Sequence, residues 1–171
     1  MAQEIIMSIE KYSEWIDSAG GPLLLVSDID CQYWNGALSD YWSACEEVNN
    51  YVGVFNKKNK KFIILAEEPL SASIVCSNIG ILFLRWEWGD EDKFNVFESL
   101  KAIKLLENLP LLEETDVNIK SGKYFLFDSA LHGNTQEEKY EVILEKDVAV
   151  AKTYQYRPDE EYSFLINAFL Y

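Results

Sequence analysis

The chain has 171 residues, 49% of them hydrophobic and 14% aromatic. That is apolar side chain enough for a core without disulfide or metal staples, and it excludes a mainly disordered chain. The formal net charge of −14, from 29 acidic against 15 basic residues, argues against nucleic acid or an anionic membrane surface as partner and suits solubility or a basic protein partner.

The length is that of one domain spanning 1–171. The opening "MAQEIIMSIEKYSEW" carries acids early and lacks the apolar stretch of a signal peptide. The longest apolar runs, "PLLLV" and "IGILFL", are too short to span a bilayer, so the expected place of action is the cytoplasm. In "WIDSAGGPLLLV" (15–26), Gly20-Gly21 read as a turn launching a strand at 22–26. The unbroken apolar run of that strand predicts cover on both faces. Asp40 starts a short helix near 40–48. Strands "YVGVF" (51–55) and "KFIILA" (61–66) flank "NKKNK", a hairpin with a polar, solvated tip. "SASIVC" (71–76) follows Pro69, and "IGILFLRWEW" (79–88) is long and apolar enough for the centre of a sheet. Within it Trp86 and Trp88 share one face and Arg85 and Glu87 the other, so a buried Arg85 calls for a carboxylate.

Asp90 then caps one long helix near 91–107, with Glu91 and Asp92 complementing its dipole. Phe94, Phe97, Leu100 and Ile103 line one face of it, and Pro110 stops it. "TDVNIK" and "KYFLFD" read as a hairpin around Ser121-Gly122. "YEVILE" (140–145) precedes "VAVAKTYQYR" (148–157), where Val148, Val150, Tyr154 and Tyr156 alternate with Ala149, Ala151, Thr153 and Gln155. That period of two marks a half-buried strand, and 161–171 supplies a last one. The expected class is α+β, mostly antiparallel sheet or two packed sheets, with the two helices.

Chemistry is sparse. Cys31, Cys45 and Cys76 form no C-x-x-C pair and read as small buried hydrophobes in a reducing compartment. His132 is the single histidine, so a hydrolase would need Asp17, Ser18 and His132 together, yet "DSAGG" is not a nucleophile elbow. Gly20-Gly21 precede a strand, and Pro22 removes a backbone donor, unlike a phosphate-binding loop. The acids carry no calcium-loop spacing and no selected glycosidase pair. No catalytic set, cofactor or metal is expected. Tyr33, Trp34, Tyr41 and Trp42 fall within 32–42, where they would serve either as a core lid or as a sugar or small-ligand platform.

The order of "WIDSAGGPLLLV", "YWNG", "DYWSAC", "YVGVF", "LAEEPLSAS", "FLRWEWGDE", "YFLFDSALHG" and "TYQYRPDEEYSFLINAFL" resembles the bacterial immunity protein 21 family through nearly the whole chain. The W-I-x-S-A-G-G-P-x-x-L, E-P-L and R-W blocks are its most specific parts. The resemblance implies a non-catalytic partner of a polymorphic toxin, made with the toxin and bound to its toxic domain; it carries over no functional residues. With the charge, it leads to an inhibitor that occludes a toxin domain, with a basic nuclease as the toxin that acids would suit. The expected contact residues are Glu67, Glu68, Asp90, Glu91, Asp92, Asp159, Glu160 and Glu161, with Trp34 or Trp42 as an aromatic anchor.

Overall fold

The computed structural model describes residues 5–66, 69–90, 95–135 and 138–171. Among these, the strands are β1 (Ile9–Tyr12), β2 (Leu23–Ser27), β3 (Val52–Lys57), β4 (Lys60–Leu65), β5 (Ala72–Ser77), β6 (Gly80–Trp88), β7 (Leu111–Ile119), β8 (Gly122–Asp128), β9 (Tyr140–Leu144), β10 (Val148–Tyr156) and β11 (Ser163–Leu170). The helices are α1 (Asp40–Glu47) and α2 (Val96–Lys101), with short 3-10 turns beside them. A six-stranded sheet has the order β1-β5-β6-β11-β10-β7, and a five-stranded sheet the order β3-β4-β2-β8-β9. Every strand pairing is antiparallel.

Both sheets are covered on both faces. Leu23, Leu25, Ile63 and Leu126 of the smaller sheet meet Ile74, Phe83, Val117 and Phe169 of the larger one. Leu24, Val26, Phe62 and Phe127 point the other way, under Cys31, Trp34 and Ala44 of the β2–β3 crossing. Leu82, Leu84, Trp86 and Phe164 back onto Met7, Val96, Leu100 and Leu106. This double cover is why β2 and β6 read as continuous apolar runs rather than alternating ones. Burying each such Leu or Phe contributes about 1.5–3 kcal/mol.

The helix expected near 91–107 is shorter: α2 spans Val96–Lys101. Its cap is Asn95, whose side chain accepts from the N–H groups of Phe97 (3.2 Å) and Glu98 (3.4 Å), rather than Asp90. Residues 91–94 lie outside the described residues. The helix ends by tightening to i→i−3 bonds, Ala102 N–H to the Ser99 carbonyl and Ile103 N–H to the Leu100 carbonyl, each at 3.1 Å; beyond it the Lys104 carbonyl accepts from the N–H of Met7 (2.8 Å) and Leu106–Asn108 closes as a 3-10 turn. The short helix near 40–48 is present as α1.

Ser121-Gly122 is a corner, not a hairpin. Strand β7 pairs with β10 (Ile119↔Val148) in one sheet, and β8 pairs with β9 (Gly122↔Leu144) in the other. Two strands therefore cross between sheets side by side. Asp147 ties the crossings together by accepting from Ser121 N–H and Lys120 Nζ, each at 2.8 Å. The alternation in β10 also breaks. A register shift between Val148 and Val150 puts Val148 and Ala151 in the inter-sheet core, with Tyr154 and Tyr156 on the opposite face.

The lysine tip is not simply solvated. The β3–β4 turn runs through Lys58 and Asn59, both at positive φ. Lys57 pairs with the buried Asp40 at 2.7 Å and Lys60 with Asp30 at 3.0 Å. Lys61 donates to the carbonyls of Val117 (2.7 Å) and Asn118 (2.8 Å) on β7. The Lys61 bonds, with Val52 N–H donating to Glu113 Oε2 (3.0 Å), fasten the β3–β4 side of one sheet to β7 of the other.

Candidate partner-binding surface

Strands β6 and β11 pair with Trp88 opposite Ser163. The chain leaves β6 through Gly89, whose φ of +129° favours glycine and which lies against the Tyr162 ring. Asp90 is thereby set beside the β10–β11 turn that carries Asp159, Glu160 and Glu161, all four exposed. The turn is braced by Asp159 Oδ1 accepting from Glu161 N–H at 2.7 Å. Tertiary pairing thus joins acids that are about 70 residues apart in sequence. Glu91 and Asp92, and likewise Glu67 and Glu68, lie outside the described residues.

Trp88 stands at this acidic end with 44% of its surface exposed, and the Arg157 guanidinium sits 5.8 Å from its ring centre. Glu87 Oε1 accepts from Gln155 Nε2 (2.6 Å) and Ser163 Oγ (2.9 Å). Arg157 Nε also donates to Ser163 Oγ (3.3 Å), which ties the cation beside Trp88 to that network. Sequence reading missed Trp88 as the exposed aromatic residue here. Period two puts it on one face with Trp86, but only the sheet end separates the buried ring from the exposed one.

Trp34 is not available as a surface anchor. It is 0% exposed, donates from Nε1 to the Ser129 carbonyl at 2.8 Å, and packs on Phe55 and Phe62. Trp42 is 61% exposed, donates from Nε1 to the Ala37 carbonyl at 3.0 Å, and its ring meets Tyr41 at 77°. With Trp34 buried and that pair edge-on, residues 33–42 form no flat sugar platform.

Ser18 and His132 do not meet. Ser18 Oγ reaches the Gly21 carbonyl and Asp128 Oδ2 (3.2 Å), and it accepts from Gly20 N–H (3.1 Å). His132 Nδ1 accepts instead from Asn134 N–H at 3.0 Å. Asp128 also accepts from Ala19 N–H (2.7 Å) and Ala130 N–H (2.8 Å). The "DSAGG" stretch is therefore a turn clamped to the end of β8. Cys31 is similarly structural: its thiol donates to the Gly133 carbonyl, and burial raises its pKa.

Arg85 lies buried on the inter-sheet side. Its Nη1 donates to Asn167 Oδ1 (3.4 Å) and its Nη2 to the Leu70 carbonyl (3.5 Å). Asn167 passes the chain on to Thr153 Oγ1 at 2.9 Å. Burial pulls the guanidinium pKa down to about 10. These contacts join the R-W and E-P-L blocks, as Asp128 joins "DSAGG" to "YFLFDSALHG". The blocks that carried the sequence resemblance touch one another as scaffold.

The architecture is an α+β protein built on two packed antiparallel sheets. The family model for immunity protein 21 matches residues 14–161, and the chain belongs to that family. It is by family a toxin immunity protein, and the partner the family implies is a cognate toxin. Comparison with curated proteins and with solved structures gives no match. No described helix is long and apolar enough to cross a membrane.

Proposed function

We propose that this chain neutralises its cognate toxin domain by occlusion, binding it in the bacterial cytoplasm and catalysing nothing. The observation that carries the reading is the family match over residues 14–161. The toxin domain is basic, and a nuclease is the activity that best fits an acidic inhibitor, because a surface that binds phosphate is electropositive. The contact face is the end of the larger sheet that carries Trp88, Asp90, Asp159, Glu160 and Glu161; Glu67, Glu68, Glu91 and Asp92 belong to the same proposed acidic set. Desolvating Trp88 gives such a face an aromatic anchor, while the exposed carboxylates act on the approach of the partner.

The test is co-expression with the toxin domain encoded beside this chain. Growth is restored when the protein is present, and toxicity undiminished by it overturns the reading. Reversing Asp90→Lys together with Glu160→Lys slows association on the order of tenfold at low salt and much less at high salt. An unchanged on-rate removes this end from the contact face.

A further inference from the structure

Two sheets give four edge strands, and they are not protected alike. Strand β3 is tied to β7 through Val52 and Glu113, and the carbonyls near the end of β7 are occupied by Lys61. Strand β1 is four residues long, carries Lys11, and has a register shift between Ile9 and Lys11. Short length, lysine and bulges are the devices that keep an edge from pairing with another chain. Strand β9, five residues long, has neither the lysine nor the bulge. Its pairing with β8 runs without a shift from Gly122↔Leu144 to Leu126↔Tyr140. Its sequence, Tyr-Glu-Val-Ile-Leu, holds neither proline nor lysine, and it exposes 38% of Tyr140 and 49% of Ile143. Among the described residues, its main chain bonds to β8 on one side and to nothing on the other.

Beside this edge the sandwich is open. A cleft of about 310 Å³ separates β9 from β1 and β5, floored by Ile74, Ile81 and Val142. Glu10, Glu141 and Glu145 line it against a single ammonium, that of Lys11. Glu141 also meets Lys123 at 2.9 Å, an exposed pair that contributes little. The opposite mouth, between β3–β4 and β7, is the one fastened by Glu113 and Lys61.

We propose that an extended, basic segment of the cognate toxin domain docks here, pairing along the outer edge of β9 and extending the five-stranded sheet. The inference rests on the toxin-binding reading above and adds a second contact, apart from the acidic end. Main-chain bonds to β9 supply affinity. Apolar side chains of the segment meet Ile143 and the cleft, and its cations meet Glu10 and Glu145. A second copy of this chain is the poorer occupant, since each copy carries a charge of −14.

The experiment is amide hydrogen exchange on the wild-type protein, free and with the toxin domain encoded beside it, together with the affinity of Ile143→Lys. Amides of 140–144 gain protection in the complex, and Ile143→Lys binds roughly 30-fold more weakly. Tight binding with 140–144 exchanging as in the free protein overturns the β9 site and leaves the toxin reading standing. Protection of 140–144 in the free protein, with a dimer in sedimentation, assigns the edge to a second copy and also overturns it. No binding by the wild type removes both readings. The exchange measurement does not depend on the variant folding.

Discussion

Asp128 is the residue on which the "DSAGG" turn depends, and substituting it tests the scaffold directly. It is 3% exposed and sits opposite Leu23 in the β2–β8 register. Its two oxygens serve different donors: Oδ2 takes Ala19 N–H at 2.7 Å and Oδ1 takes Ala130 N–H at 2.8 Å. Asp128→Asn keeps the shape but has only one acceptor oxygen, so its NH2 must face one of the two N–H groups. Losing one hydrogen bond to a charged acceptor costs about 2 kcal/mol, and Asp128→Ala, which loses both N–H groups and the weaker Ser18 Oγ contact (3.2 Å), about 3–4 kcal/mol because exposed Ala19 can rehydrate. For a chain of 171 residues, the Asn variant then melts roughly 4–8 °C lower. Urea unfolding followed by tryptophan fluorescence measures both, with the slope unchanged. A stability within about 0.5 kcal/mol of wild type for Asp128→Asn would refute the clamp.

Ser18→Ala loses a half-buried hydroxyl, costs within about 1 kcal/mol and keeps toxin binding; a well-folded variant that does not bind returns the turn to the functional surface. In Gly20→Val the added Cβ meets no atom within 4 Å but φ must hold at +126°, so thermal melting shows a loss of about 1–3 kcal/mol from backbone strain. Trp34→Ala costs about 3–5 kcal/mol in urea unfolding, and Trp42→Ala stays within about 0.5 kcal/mol. In alkylation followed by mass spectrometry, exposed Cys45 reacts first and buried Cys31 reacts only on unfolding, since burial keeps its thiol protonated; fast labelling of Cys31 in the folded protein would contradict that burial.

Local pattern was enough for most of the fold. The apolar runs at 22–26 and 79–88, the Lys58-Asn59 hairpin and the helix begun by Asp40 each declare themselves within a few residues, because periodicity and turn chemistry act over that range. The family, too, was legible, since its blocks are contiguous stretches that hold the scaffold together. Other features depend on partners distant in the chain. Ser121-Gly122 looks the same whether two strands fold back or cross between sheets, and only the pairing of β7 with β10 decides it. The helix after Asp90 ends at Lys101, and the Lys104 carbonyl beyond it is taken by Met7, a bond that no local rule foresees. Trp34 and Trp42 are alike in sequence, but one lies under α1 against Phe62 and the other faces solvent. The sequence by itself determined the composition, most of the strands, the short helix at Asp40 and the family. The tertiary structure decided which acids share a face, which tryptophan is exposed and which sheet edge is open, because exposure belongs to packed elements and not to any one of them.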